Sequence, residues 1–285
     1  MIIVHFTGGL GNQLAEYGLY SEYKSRGLKT YADTSWFRSY ETGDGKVDGR
    51  KLELPLLGIK LDECPSMYGY YGKETGFNRY MRRILVGPCH FEKDYRFTPE
   101  LLDVTRGQVL GGAFLGEQYM PSCGTAVRDS INFSGTDTEY IREMTARIEG
   151  CNAVSVHMRL GDYLNNTGLY GGICTADYYR KAVELITKVV KDPTFFIFSN
   201  NVGEAVKMLG IDGAVPVTGN TGDKSYLDMY LMSRCRHNII ANSTFSWWGA
   251  WLNDNDEKRV ICPTTLLNGY DNGSVYCKDW IRVSS

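Results

Sequence analysis

The chain has 285 residues, a formal charge of −2 and eight cysteines, which is length enough to bury one large or two ordinary cores without covalent staples. Its scattered basic residues give no footprint for nucleic acid or an anionic membrane surface, and no stretch reaches the ~18 apolar residues of a membrane-spanning helix. The cysteines (Cys64, Cys89, Cys123, Cys151, Cys174, Cys235, Cys262, Cys277) form no C-x-x-C pair and no zinc-type grouping with histidine, and Met1 runs directly into Ile2-Ile3-Val4. Free thiols and a cytoplasmic chain are therefore expected, with peripheral attachment to the inner membrane left open.

In chain order, Ile2 to Phe6 is a short β-branched strand that stops at Thr7-Gly8-Gly9-Leu10-Gly11-Asn12, and Leu14, Tyr17, Leu19 and Tyr20 then recur at helical spacing up to Gly27. Lys29 to Asp33 reads as a second strand and Lys51 to Asp62 as an irregular stretch. Helices are expected at Leu101 to Gln108, Thr125 to Ile131 and Asp137 to Ile148. From Asn152 the alternation is regular. Strand 153–158 is followed by helix 176–190, strand 194–198, helix 202–209 and strand 214–217, and then by helix 225–233, strand 238–241, helix 245–252 and strand 259–262. Strands and helices alternating at this spacing predict a parallel sheet covered on both faces. The fold class is thus α/β, with two Rossmann-like domains at 1–150 and 151–285, and ligands belong beyond the carboxyl ends of the strands.

Four polar clusters stand at such ends. Gly8-Gly9-Leu10-Gly11-Asn12-Gln13 can bring backbone N–H groups and neutral amides to an anion, or can serve only as a turn. It lacks the third glycine of G-x-G-x-x-G and the Gly-Lys-Ser/Thr of a phosphate loop. His157-x-Arg159-x-Gly161-Asp162 offers a planar cation to a phosphate, or a structural ion pair. Ser199-Asn200-Asn201 can read a base edge or cap the following helix. Asn242-Ser243-Thr244-Phe245-Ser246 precedes Trp247-Trp248-Gly249-Ala250-Trp251; its hydroxyls can hold a phosphate at the helix start while the tryptophans pack the sheet.

These motifs, in this order, resemble the bacterial α-1,2-fucosyltransferase family, glycosyltransferase family 11. Gly8 to Gln13, Val156 to Tyr163, Phe198 to Asn201, Ser225 to Ser233 and Asn242 to Leu252 carry the likeness. The resemblance implies a GT-B-like fold whose two domains face a cleft, with acceptor contacts in the first domain. It also implies inverting, metal-independent transfer of L-fucose from GDP-fucose, a co-substrate, to the 2-hydroxyl of a terminal β-galactose on an oligosaccharide, with no cofactor. Gly9, Gly11, Asn12, Gln13, His157, Arg159, Ser199, Asn200, Asn242, Ser243, Thr244, Phe245 and Ser246 become the expected donor contacts, and Arg159 and Asp162 the expected catalytic residues. No general base is assigned among Asp162, Asp33, Glu16 and His5. Two departures stand out: Asn200 where relatives often carry Asp, and Leu14-Ala15-Glu16-Tyr17 in place of Met-Phe-Gln-Tyr. The rival readings are α-1,6 or α-1,3 linkage, a non-catalytic GDP-sugar-binding module, and a lectin-like protein using Trp36, Tyr68, Tyr70 and Tyr71.

Overall fold

A computed structural model describes residues 1–41, 50–69, 76–92, 94–160, 168–270 and 272–285. The chain divides into two compact units, Met1–Asn132 and Phe133–Ser285.

In the first unit, β1 (Ile2–His5) is buried at every position and is followed by α1 (Leu10–Ser25), β2 (Thr30–Asp33) and α2 (Ser35–Glu41). After α3 (Gly76–Leu85) come β3 (Cys89–Phe91), β4 (Gln108–Gly111) and α4 (Gly124–Ser130). The four strands form one parallel sheet in the order β2-β1-β4-β3. The helix expected over residues 101–108 is instead a 3-10 turn at Pro99–Leu101 followed by a strand. The reason lies at Gly107, whose φ of 48° ends any helix there, and at Gly87, where an added Cβ would lie 1.9 Å from the Gly107 carbonyl oxygen. Two glycines in close contact let β3 start beside β4.

The second unit opens with α5 (Glu139–Glu149), capped by the Thr138 hydroxyl accepting from Ile141 N at 3.4 Å. This helix packs on the second unit's own elements, so the units part at 132/133, ahead of the expected 150. There follow β5 (Asn152–Met158), α6 (Ala176–Val189), β6 (Pro193–Ser199), α7 (Val202–Leu209) and β7 (Val215–Pro216). The chain ends through α8 (Tyr226–Arg234), β8 (His237–Ile239), α9 (Thr244–Trp251), β9 (Val260–Pro263) and β10 (Ile281–Val283). All six strands are parallel, in the order β10-β9-β8-β5-β6-β7. The near-continuous apolar runs of β5 and β6 suit a sheet buried on both faces. Residues Val154, Val156, Ile186, Ile197 and Ile239 make its core, and the α/β reading with two parallel-sheet units holds.

A buried amide ties β8 into this unit. Asn238, with no exposed surface, donates to Ser155 Oγ at 2.7 Å and to the Met232 carbonyl at 2.9 Å, and accepts from Asn253 Nδ2 at 2.8 Å. Truncation removes all three bonds and takes from the buried Ser155 hydroxyl its Asn238 partner. Asn238→Ala is expected to cost about 2–4 kcal/mol in urea denaturation, and a loss below about 0.5 kcal/mol would show that the network contributes nothing net.

Candidate functional site

Strands β8, β5 and β6 are neighbours, so the residues just past their carboxyl ends share one edge of the second sheet. Two adjacent tyrosines of α6 fix that edge: Tyr179 donates to the His157 carbonyl at 3.0 Å and Tyr178 to the Ile240 carbonyl at 2.6 Å. His157 is buried, and its ring lies 5.8 Å from that of Phe245 at an interplanar angle of 38°. Burial, and secondarily the Arg159 guanidinium, push the imidazole down to about 3. The ring is therefore neutral, and its Nδ1 is buried with no hydrogen-bond partner among the described residues. Leaving such a group unpaired costs about 1–3 kcal/mol, so the atom is suited to a ligand.

Several of the expected donor contacts spend their side chains on the main chain. Asn200 accepts from Leu160 N at 2.8 Å and donates to Leu160 O at 2.6 Å, fixing the segment directly after Arg159. Ser199 Oγ accepts from Asn201 N at 3.1 Å, and Asn201 caps α7 by accepting from Glu204 N at 3.3 Å. Asn242 donates to Tyr170 O at 3.3 Å and Leu266 O at 3.2 Å. Ser246, fully buried, donates to Ala241 O and Ser243 O. In contrast, Ser243 stands at the N-cap of α9 with no side-chain capping bond, and Thr244 and Phe245 are half-buried. Trp247, Trp248 and Trp251 are core; Trp247 Nε1 donates to Val275 O at 2.7 Å.

The glycine-rich loop of the first unit is built by the same device. Gly8, at φ 70°, turns the chain after β1, and Gly9 is the N-cap of α1. Gln13, fully buried, donates to Gly8 O at 3.0 Å and Lys51 O at 2.9 Å and accepts from Glu53 N at 2.8 Å. Glu53 returns a carboxylate oxygen to Leu10 N at 3.1 Å, so this helix start is met by the chain's own anion. A Cβ at Gly9 would lie 2.8 Å from a guanidinium nitrogen of Arg50. Gly11 is buried within α1, while Asn12 is partly exposed. Arg50 and Glu53 carry no local signal because their roles depend on a loop some 40 positions away.

Of the base candidates, Asp162 lies outside the described residues. His5 Nδ1 and Asp33 Oδ2 are 2.9 Å apart and both buried, and Asp33 also accepts from Ser35 N at 3.0 Å. Glu16 is buried, accepts from Thr7 N and the Thr7 hydroxyl, both at 2.9 Å, and is held well above the usual carboxylate range by burial. One buried acid stood in the Ser225 to Ser233 run without a role of its own: Asp228, on the first turn of α8, accepts from Asn220 Nδ2 at 2.9 Å and is pushed up to about 7 by burial. Tyr70 and Tyr71, two members of the suggested stacking platform, are outside the described residues; Trp36 and Tyr68 are half-buried, with Tyr68 against the first unit's core. Among the described residues, no helix is long and apolar enough to cross a membrane.

A strand-end site with a neutral histidine, an arginine and a helix start, carried on a parallel α/β sheet, defines a glycosyltransferase when taken with the chain's relatives. The profile of glycosyl transferase family 11 matches residues 125–284, more than half of the chain, and the chain belongs to that family. It is 29% identical to the O-antigen biosynthesis glycosyltransferase WbnK of Escherichia coli, over 97% of this chain and 98% of that one. It is 27% identical to an Escherichia coli α-1,2-colitosyltransferase over 99% of both chains. Identity to the galactoside α-(1,2)-fucosyltransferase 2 of Rattus norvegicus is 29%, over 99% of this chain and 77% of the rat protein.

Glu16 gives a direct test of the buried-acid assignment. Its raised folded-state pKa means that the native state holds a proton the unfolded chain releases, so its contribution is lost as pH rises from about 4.5 toward the folded value. Glu16→Gln keeps partners for both Thr7 contacts and removes the titration. The melting temperature of E16Q relative to the parent is expected to climb with pH above about 4.5, and parallel curves would refute a protonated Glu16.

Proposed function

We propose that the chain is a galactoside α-1,2-fucosyltransferase that moves L-fucose from GDP-fucose to the 2-hydroxyl of a terminal β-galactose, with inversion and without a divalent metal. The observation that carries this reading is the edge formed by His157, Arg159 and Phe245, where a neutral, buried imidazole nitrogen lacks a partner beside an arginine on a rigid strand end. A nucleoside diphosphate has groups that suit this edge: hydroxyls for the imidazole nitrogen and phosphate oxygens for a guanidinium. As the bond from the anomeric carbon to the β-phosphate breaks, negative charge builds on GDP, and Arg159 stabilises it most in the transition state. Ser243 and Thr244 at the start of α9 supply further donors to the same phosphates. Asn200 and Asn242 act indirectly, by holding the main chain that carries these groups.

The relatives support the linkage more strongly than the sugar. Both the colitosyltransferase and the rat enzyme carry α-1,2 in their names, whereas they differ in the sugar they transfer. Colitose is fucose without its 3-hydroxyl, so a colitose donor is the second reading, and it leaves the phosphate edge unchanged. An Asp254-Asn255-Asp256 run exists, but it precedes β9 at the amino-terminal end of the sheet, where Asn255 Oδ1 accepts from Glu257 N at 3.1 Å. It is remote from the strand ends proposed to hold the donor.

Arg159→Lys tests the phosphate assignment. The ammonium keeps the charge but loses the two-pronged fork, so kcat measured in EDTA with GDP-fucose is expected to fall by about 10²-fold or more. The melting temperature should stay near that of the parent. A variant within a few-fold of the parent would remove Arg159 from the leaving-group site, and a lowered melting temperature with normal turnover would make it a structural residue.

A further inference from the structure

The second unit carries a pocket of about 450 Å³ at the amino-terminal edge of its sheet, opposite the strand ends that bear His157 and Arg159. It lies between the starts of β5 (Asn152) and β8 (His237), the end of α6 (Val189) and the loop that leads into β9. That volume is in the range of small-molecule sites, and none of its lining belongs to the candidate site. The seven residues of β5, at roughly 3.3 Å each, put the two edges about 20 Å apart.

Lys191, Arg236, Lys258 and Arg259 line it, against the carboxylates of Asp256 and Glu257. A cation near the end of a helix often serves the helix's own unpaired carbonyls, and Lys258 does so: its Nζ donates to Ala250 O at 3.1 Å and to Asn253 O at 2.6 Å. The other three differ. Lys191, Arg236 and Arg259 are exposed, and their side chains make no hydrogen bond and no ion pair with any described residue, Asp256 and Glu257 included. The main chain that carries them is pinned. Asn152 Nδ2 donates to Lys191 O at 2.6 Å, Arg236 N donates to Ala153 O at 3.0 Å, and Arg236 O accepts from the Asn253 and Asn255 amides at 3.4 and 3.2 Å. His237, only 8% exposed, lines the same pocket. Its Nδ1 accepts from Arg259 N at 3.0 Å, so the proton of the neutral ring sits on Nε2, and Nε2 donates to no described residue. Burial, then Arg259 and Arg236, hold this imidazole below its usual range, with Glu257 opposing.

We propose that this pocket binds a phosphate monoester, whose oxygens accept from His237 Nε2 and from the Arg236 and Arg259 guanidinium groups, with Lys191 adding charge. A nearly buried N–H donor beside two uncommitted guanidinium groups suits an oxyanion and no cation. A phosphate monoester offers three acceptor oxygens and close to two negative charges, whereas a carboxylate offers two oxygens and one charge. The pocket is larger than a bare phosphate needs, which leaves Asp256 and Glu257 to accept from hydroxyl groups on the organic part of the ester. Such an ester is either a soluble metabolite or the headgroup of a lipid. Occupation of this edge is independent of any donor at the carboxyl edge and holds whether or not the transferase reading does.

Calorimetry of the whole chain against glycerol 3-phosphate, with ionic strength fixed by sodium chloride, is expected to show one saturable site. The double variant Arg236→Gln, Arg259→Gln loses two charge-assisted contacts and should bind about 10-fold or more weakly. Lys188→Gln removes an exposed cation of α6 outside the pocket and should leave affinity within about twofold of the parent, as exposed charges contribute little at a distance. All three side chains are exposed, so melting temperatures should match the parent. In NMR spectra the His237 imidazole signals should shift on saturation, and their titration midpoint should rise, because a bound anion opposes the two guanidinium groups. Cosedimentation with phosphatidylcholine vesicles containing phosphatidic acid separates the sources. Pelleting that needs both arginines, without heat from glycerol 3-phosphate, assigns the site to a lipid headgroup; heat without pelleting assigns it to a soluble ester. No binding of either probe, binding that the double variant retains in full, or His237 signals that stay unmoved at saturation would overturn the site.

Discussion

A parallel strand that ends at a ligand site leaves main-chain N–H and C=O groups that the sheet no longer pairs, and burying them unsatisfied is costly. The rest of the structure follows from how this chain meets that demand. Tyr178 and Tyr179 take the carbonyls of Ile240 and His157, the Asn200 amide pairs with both main-chain groups of Leu160, and Asn242 and Gln13 bridge neighbouring loops. With these clamps in place, His157, Arg159 and the start of α9 are carried on backbone that has little freedom to shift. A site held this way pays little to order itself when its ligand arrives.

Charge is divided between the units. In the second unit the described strand ends carry a guanidinium and a neutral imidazole, where burial keeps His157 from becoming a second cation. In the first unit the strand ends carry carboxyl groups: one neutralised by Arg96, one buried against Thr7 with its proton affinity raised by burial, and one, Glu92, that accepts from Tyr119 and Phe114. Burial raises the proton affinity of Glu16 and Glu92 against the pull of their hydrogen bonds, whereas Asp94 is set by Arg96.

The sequence made most of the second unit legible because its longer elements obey local rules, whereas the three-residue β10 was not foreseen. Thr175 and Asn201 cap helices, Gly210 ends one, and β5 and β6 are near-continuous apolar runs. The first unit was hard to read for the opposite reason. Strands β3 and β4 are three and four residues long, and their pairing depends on a contact between Gly87 and Gly107 that no window of sequence displays. At the candidate site the motifs mark strand ends, but a motif does not reveal whether an amide faces a ligand or the backbone. Asn12 and Gln13 are adjacent and alike in chemistry, yet Gln13 is fully committed to the loop while Asn12 borders a pocket of the first unit. Glu92 gave no signal, and Asp228 stood in a motif run without a role, since an acid becomes informative only when its burial and partners are known.

The central claim is that this edge of polar groups binds a GDP-sugar for transfer to the 2-hydroxyl of galactose. The most direct measurement incubates the purified chain with GDP-fucose and a terminal β-galactoside and assigns the product linkage by NMR. The account predicts a single α-1,2-linked fucose on galactose with stoichiometric release of GDP. Fucose on any other hydroxyl, or binding of GDP-fucose without transfer to any galactoside, would contradict it.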